Sequence, residues 1–268
     1  LHQLGRYEMS FFALPFVERP ACTILFAHRP DMSTGAQSAD VAAAAGASYT
    51  KVSEVNEIPT EGFDYYIIAG AGLLPATWVE RTLGKVVNSH PGIIPLVRGL
   101  DAFKWAIVDG MPIGNTLHFI DSEADAGEVF AQSLTPVFAT DNLESFARRH
   151  YELEIQMMVD FEAFLRQKGP SSAKNQYETR PARMRMKAEQ QEQLRAAFER
   201  FPGRPLTIPD HTHVSRLARR LAAAVHGRSI AERLPQPGQH GRHHLGMGPR
   251  RGGRVGVDGF HAPTPTVP

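Results

Sequence analysis

With 268 residues, 42% of them hydrophobic, and a formal net charge of +1, the chain can bury one sizeable core or two, and it lacks the net charge to hold nucleic acid by bulk electrostatics. Cys22 is its single cysteine, which excludes an intramolecular disulfide and a cysteine-rich zinc site. The longest apolar runs, FFALPF and VAAAAGA, are too short to cross a bilayer, and no basic segment followed by an apolar stretch and a cleavage site opens the sequence, so a soluble cytoplasmic protein is the expectation. Charge is unevenly spread. Residues 1–201 hold 19 Lys and Arg against 25 Asp and Glu, whereas residues 202–268 hold ten Arg, no Lys and three acids. With a break near FPGRP (201–205), the sequence divides into a first unit, 1–168, a linker and helix over 169–201, and a basic tail, 202–268.

In chain order, CTILFA (22–27) reads as a buried strand, with Cys22 as a core residue, closed by the turn around Pro30 and Asp31. SADVAAAAG (38–46) reads as a short helix ending at Gly46. SYTKV (48–52) is the next strand and FDYYIIAG (63–70) a stronger one. PATWVERTLG (75–84) opens on Pro and closes on Gly, as a helix does. KVVNS (85–89) is a β-branched strand, and LDAFKWAIVDG (100–110) a short amphipathic helix. Strands alternating with short helices predict an α/β fold, a mostly parallel, doubly wound sheet with flanking helices. The pattern then changes. NTLHFID (115–121) and EVFAQSLTPV (128–137) form two strands joined by SEADAG. A long helix follows over 142–167, started by Asp141 with Glu144 three residues on, in the manner of a capping box. Leu143, Phe146, Leu153, Met157, Phe161 and Phe164 form its inner face; His150 falls there too and reads as a packed histidine, not a ligand. Residues 169–183 are a polar linker, and RMKAEQQEQLRAAFERF (185–201) is one more helix, spaced by Met186, Leu194, Ala197 and Phe201.

Open parallel sheets bind ligands beyond the carboxyl ends of their strands. Asn88 and His90 stand at such an end, in NSHPG. The 122–127 loop carries Asp125 between small residues, which let backbone amides approach a planar ligand closely. An amide, an imidazole and a carboxylate suit acyl transfer to an amine. The Asn88 amide and a protonated His90 can donate to the oxygen that turns negative in a tetrahedral intermediate, where losing one donor costs about 10²–10³ in rate. Asp125 would pair with His90, hold its ring and receive the amine proton directly or through a water. No serine or cysteine nucleophile is required, because the attacking group belongs to the substrate. Taken singly, NSHPG is compatible with an ordinary loop, DAG is almost no signal, and His118 can be a satisfied histidine. The conjunction is what carries weight.

That conjunction resembles the formyltransferases that use 10-formyltetrahydrofolate, a family that includes glycinamide ribonucleotide transformylase, methionyl-tRNA formyltransferase and the nucleotide-sugar N-formyltransferases. Its Asn-x-His-Pro segment, followed downstream by His-Phe, five residues and Asp-x-Gly, is matched by Asn88-Ser89-His90-Pro91 and by His118-Phe119, Asp125 and Gly127. The likeness covers about residues 22–165. It implies a Rossmann-like formyltransferase fold, Asn88, His90 and Asp125 as catalytic residues, and 10-formyltetrahydrofolate as formyl donor. IIAGAGLLPATWV (67–79) resembles the segment that holds the pteridine, which implies Leu73, Leu74, Trp78 and Val79 at the folate; ordinary core packing is the alternative for Leu73 and Leu74. Ile120 and Asp121, in the 120–125 loop, would supply the other wall. Arg98 and Lys104 are substrate-binding candidates by position, with solvated cations as the alternative. No metal is implied.

Three features lean towards an amino sugar as the amine. Gly92 follows His90-Pro91 as in the sugar enzymes, PLVRG resembles their Pro-x-x-Arg-Gly, and the 185–201 segment resembles the C-terminal helix of compact sugar N-formyltransferases. GLDAFKWAI, by contrast, is close to the ribonucleotide type. The preferred reading is transfer to a GDP- or dTDP-linked 4-amino-4,6-dideoxyhexose of O-antigen or lipopolysaccharide synthesis. The alternatives are a phosphoribosylglycinamide formyltransferase of purine synthesis and a non-catalytic folate-cleft protein with a polyanion-binding tail. The partners implied are a small-molecule amine, a nucleotide sugar first, and at most a second copy in a homodimer, with no membrane and nucleic acid disfavoured.

The resemblance has two departures. The family's hydrophobic first strand and Gly-rich loop are not visible: the chain opens at Leu1, and RPACTILFAHRPD already resembles the second strand. In this topology the first strand is central, so either residues 1–20 substitute for it or the chain lacks its beginning. In the tail, HVSRLARRLAAAVHG (213–227) reads as a basic amphipathic helix with Val214, Leu217, Leu221 and Val225 on one face. GQHGRHHLGMGPRRGGRVGVDGF (238–260) has too few apolar residues for a core and reads as disordered.

Overall fold

The computed structural model describes residues 7–17, 23–29, 35–138, 140–167 and 179–200 in full, and 253–258 by their backbone. The elements are β1 (Tyr7–Ala13), α1 (Ser38–Ala44), β2 (Ser48–Lys51), β3 (Tyr65–Ile67), α2 (Ala76–Arg81), β4 (Val86–His90), α3 (Ala102–Val108), β5 (Gly114–Phe119) and β6 (Val129–Leu134). After them come α4 (Leu143–Val159), α5 (Phe161–Gln167), α6 (Ala188–Gln191), α7 (Leu194–Glu199) and β7 (Gly253–Asp258). The strands join in one seven-stranded sheet of order β2-β1-β7-β3-β4-β5-β6. The first five in that order run parallel, β5 is antiparallel to β4, and β6 is antiparallel to β5. This is the expected Rossmann-like α/β architecture. No helix of the described residues is long and apolar enough to cross a membrane.

Residue pattern accounts for the parts that position the site. Val86 and Val87 are both fully buried, as in a parallel strand covered on both faces; Asn88 and Ser89, one step further, are half-buried where the cover ends. α2 starts after Pro75 and stops before Leu83 and Gly84, which take the left-handed conformation that a helix end requires. The helices α3, α4 and α7 share one apolar cluster built on Phe103, Phe146, Leu194 and Phe198, so the 188–199 helices pack on the same body as the sheet.

Several elements differ from expectation. Residues 23–27 form no strand: Ile24 and Leu25 are 54% and 51% exposed, and the Leu25 and Phe26 amides donate to the Gln191 side chain. Cys22 lies outside the described residues. One strand that was not foreseen is β1, where Met9, Phe11 and Ala13 alternate inward. The long helix is two, broken at Asp160, and its cap is Asn142 with Ser145 in a reciprocal pair. Asp141, expected as the cap, instead takes both terminal nitrogens of Arg149 at 2.6 Å. The 185–201 helix is likewise two short helices, and Phe201 lies outside the described residues. Residues 179–183 of the supposed linker run as a strap over Pro95–Leu100, with a bridge between Gly99 and Arg183. Of the tail, the expected helix 213–227 lies outside the described residues, but 253–258, expected without structure, form β7 between β1 and β3. The central position of the sheet, between β1 and β3, is thus filled from the C-terminal part of the chain.

Candidate active site

β4 and β5 pair so that Asn88 stands opposite His118 and His90 opposite Thr116. The loop after β5 returns Asp125 over this pair. His90 Nδ1 is 3.3 Å from Asp125 Oδ1, and His118 Nε2 is 3.8 Å from the same oxygen. Asn88 Nδ2 is 3.1 Å from His118 Nε2. The structure therefore brings Asn88, His90 and Asp125 together at the carboxyl end of β4, with His118 as a fourth member. In the sequence His118 stands out only as part of the His118-Phe119 motif. The signal that could have found it is the antiparallel register, which places a histidine across from the amide.

Hydrogen bonding fixes the proton positions. The Phe119 carbonyl, 3.1 Å from His118 Nδ1, can only accept, so Nδ1 carries the proton and Nε2 accepts from the Asn88 amide. Burial, and after it the charge of His90, lowers His118 to about 4. His90 Nε2 lies 2.9 Å from the Val97 carbonyl and therefore donates to it. Both ring nitrogens of His90 thus have protein partners, which differs from the expectation that this ring aims a proton at the reacting oxygen. Gly92 is required by this arrangement: a Cβ there would come 2.8 Å from His90 Nε2 and 2.9 Å from the Val97 oxygen.

For Asp125, burial alone would push the carboxyl up. The His90 hydrogen bond and charge, the Gly99 amide at 2.8 Å and His118 outweigh it and hold the group below its ordinary value. Asp125 takes a left-handed φ of 50°.

The two expected substrate cations are turned inward. Arg98 is buried and donates to the carbonyls of Ala124, Asp125 and Arg180. Lys104 is buried, donates to Gln191 Oε1 and lies 3.6 Å from Asp101. Each has its partners inside the fold. Of the expected folate residues, Trp78 and Val79 are core: the Trp78 indole donates to the Ile58 carbonyl at 2.9 Å. Leu74 and Ile120 are partly buried against that same cluster, whereas Leu73 is 93% exposed. Asp121 accepts from the Glu123 amide. Among the described residues no group of three or more His, Cys, Asp or Glu is disposed to hold a metal ion.

An open α/β sheet with an amide, two imidazoles and a carboxylate gathered at the carboxyl end of β4, beside the antiparallel β5, defines a Rossmann-like protein with a polar site at a strand end. The family model for formyl transferase matches residues 27–161, and the chain belongs to that family. The phosphoribosylglycinamide formyltransferase of Haemophilus influenzae is 33% identical over 96 residues, covering 35% of this chain and 45% of that protein. Its Escherichia coli counterpart is 31% identical over 97 residues, covering 35% and 46%. The chain thus matches less than half the length of these curated relatives. Among solved structures, the formyltransferase PseJ from Anoxybacillus kamchatkensis, in complex with UDP-4,6-dideoxy-4-formamido-L-AltNAc and tetrahydrofolate, is 17% identical with a TM-score of 0.44, covering 69% of this chain and 88% of its own. Phosphoribosylglycinamide formyltransferase from Anaplasma phagocytophilum is 30% identical with a TM-score of 0.39, covering 43% and 60%.

Proposed function

We propose that the chain transfers the formyl group of 10-formyltetrahydrofolate to the primary amine of a small-molecule substrate. The observation that carries this reading is the meeting of Asn88, His90 and Asp125, with His118 orienting the amide. In the reaction the amine nitrogen attacks the formyl carbon, the formyl oxygen becomes anionic, and the bond from that carbon to the folate nitrogen breaks. The amine loses one proton and the folate nitrogen gains one. One Asn88 N–H is spent on His118; the other donates to the anionic oxygen. His90, buried between Val97 and Asp125, orients the carboxylate and, when protonated, supplies positive charge beside the reacting centre. Asp125 takes the amine proton, directly or through a water. Leu73, Leu74, Ile120 and Asp121 would hold the folate, over a floor of Trp78 and Val79.

Two amines compete. The sequence features that favour a nucleotide-linked 4-amino-4,6-dideoxyhexose include Gly92 and Arg98, and both have structural reasons to be there: Gly92 makes room for His90, and Arg98 binds backbone carbonyls. That weakens the sugar argument. Two relatives, of 33% and 31% identity, are phosphoribosylglycinamide formyltransferases, which supports glycinamide ribonucleotide as the first amine to try and the amino sugar as the second. The test offers the protein the folate donor with each amine and follows formylated product by mass spectrometry. His90→Ala and Asp125→Asn should depress turnover sharply while folate binding persists. Folded protein that formylates neither amine would count against the reading.

A further inference from the structure

We infer that Arg98, together with the Gly99 amide, is a positioning residue that clasps the Asp125 loop and sets its carboxylate against His90; the inference rests on the formyl-transfer reading above. Asp125 sits in the left-handed region at φ 50°, which Asp adopts more readily than most side chains but which is uncommon and gains from outside support. Two consecutive residues support it here. Arg98 Nε donates to the Asp125 carbonyl at 3.0 Å and the Ala124 carbonyl at 3.2 Å, while Nη2 donates to Ala124 at 2.6 Å. The next residue, Gly99, gives its amide to Asp125 Oδ2 at 2.8 Å. Backbone and side chain of Asp125 are thus held from one segment, leaving Oδ1 towards His90 and His118.

The segment is itself braced. Arg98 Nη1 donates to the Arg180 carbonyl, the Arg183 amide donates to the Arg98 carbonyl at 2.9 Å, and the Leu100 amide donates to the Arg183 carbonyl at 2.8 Å. The strap lies so close that a Cβ on Gly99 would meet the Arg183 oxygen at 2.2 Å. At the loop's other end Gly127 passes the Phe119 carbonyl, where a Cβ would come to 1.8 Å. A planar guanidinium can serve adjacent carbonyls at once through its fixed fork, and an ammonium cannot reproduce that geometry.

The titratable and charged groups around Asp125 are His90 on β4, His118 on β5, Arg98 on the clasp and Glu123 on its own loop, the last 3.7 Å from Arg98 Nη2 and exposed. Opening the clasp withdraws the Gly99 donor and lengthens the His90 contact. Both now hold the Asp125 carboxyl down, so its titration moves up and the acid limb of turnover moves with it.

The test uses the full chain carrying Arg98→Ala and, as the variant that keeps a charge and one donor point, Arg98→Lys. Turnover is followed against pH, and Asp125 is titrated by carboxyl carbon NMR, a readout that does not require turnover. In Arg98→Ala, kcat should fall about 10²-fold, the loss that accompanies a misplacement of about 1 Å at a reacting group. The KM for the folate donor should hold, and both the acid limb and the Asp125 titration should move to higher pH, with Arg98→Lys falling between. Wild-type kcat together with an unmoved Asp125 titration in Arg98→Ala would overturn the clasp. So would a loss confined to the KM of the amine, which would put Arg98 at the substrate. Should Arg98→Ala not fold, Arg98→Lys is read by the same two criteria. A wild-type protein that formylates no amine defeats the functional reading, while the Asp125 titrations still decide the clasp.

Discussion

His118 is neutral in the fold because it is buried and because its Nε2 must accept from Asn88. Its folded value, lowered to about 4, lies below the ordinary histidine value, so between about pH 6.5 and pH 4 the unfolded chain holds the extra proton. Stability therefore falls as pH falls through that window, by up to about 3 kcal/mol from this residue, and is insensitive to it above. Replacing His118 with Leu removes the titrating group: urea unfolding at a series of pH values should show a slope flatter by about one proton across the window. The same variant leaves the Asn88 amide unanchored, so turnover falls as well. Gly92 makes the complementary point by steric contact alone. A methyl group there would meet His90 Nε2 at 2.8 Å, a distance real Cβ atoms do not adopt, so Gly92→Ala must push the imidazole off the Val97 carbonyl. Turnover in Gly92→Ala should drop about 10²-fold with the fold retained, as steady-state kinetics and thermal unfolding together would show. Unchanged kcat would mean that the His90 position does not matter to the rate.

The apolar run CTILFA has the composition of a buried strand, but composition does not say where backbone donors go. The Leu25 and Phe26 amides reach Gln191 Oε1, Gln191 Nε2 donates to the Thr23 and Met186 carbonyls, and Lys104 Nζ shares the same oxygen. One buried amide thus fastens the 23–26 segment to α3 and α6. Gln191→Leu would take this partner from the Leu25 and Phe26 amides and the Thr23 and Met186 carbonyls, at about 1–3 kcal/mol for a buried group left unsatisfied, and urea unfolding should show a loss at the upper end of that range. This explains why legibility was uneven. Elements with their own punctuation, α2 between Pro75 and Gly84 or β4 ending in Asn88-Ser89-His90, were readable because the cause is local. β1 was readable in principle, since Met9, Phe11 and Ala13 alternate, but its burial depends on strands distant in sequence. The convergence of Asn88, His90 and Asp125 was legible through paired motifs at fixed spacing. The clasp by Arg98 was not, because a guanidinium over two carbonyls follows from where a loop 26 residues later crosses in space. The helix break at Asp160 was also hidden, as the inner-face pattern of Leu153 and Met157 before it continues through Phe161 and Phe164 after it.

Across the whole molecule, the change in composition after residue 201 does not mark the edge of the folded sheet. β7 pairs with β1 through Met9↔Val255, Ser10↔Gly256 and Phe11↔Val257, and with β3 through Tyr65↔Val255, Tyr66↔Gly256 and Ile67↔Val257. Without it β1 and β3 would face each other across about 9–10 Å, two strand spacings, too far for any hydrogen bond between them. The sheet would become a pair, β2-β1, and a four-stranded piece, β3-β4-β5-β6, each with an open parallel edge. The site lies in the larger piece, yet it depends on the join, because Ile67 of β3 pairs with Val87, the residue before Asn88. A proline in β7 tests this through the backbone alone. Flanked by strands on both sides, Val257 has no edge on which a missing N–H would go unnoticed. Val257→Pro should lower stability by about 1–3 kcal/mol for the ladder bond and its unpaired carbonyl, and turnover should fall with it as β3 loosens. Deleting residues 253–258 should do more, replacing one cooperative unfolding transition by a broad one, because two sheet fragments no longer share a strand. Thermal unfolding followed by circular dichroism reads both variants. If Val257→Pro and the deletion both unfold like the parent chain, β7 does not hold the sheet together, and the central position must be filled from elsewhere or left open.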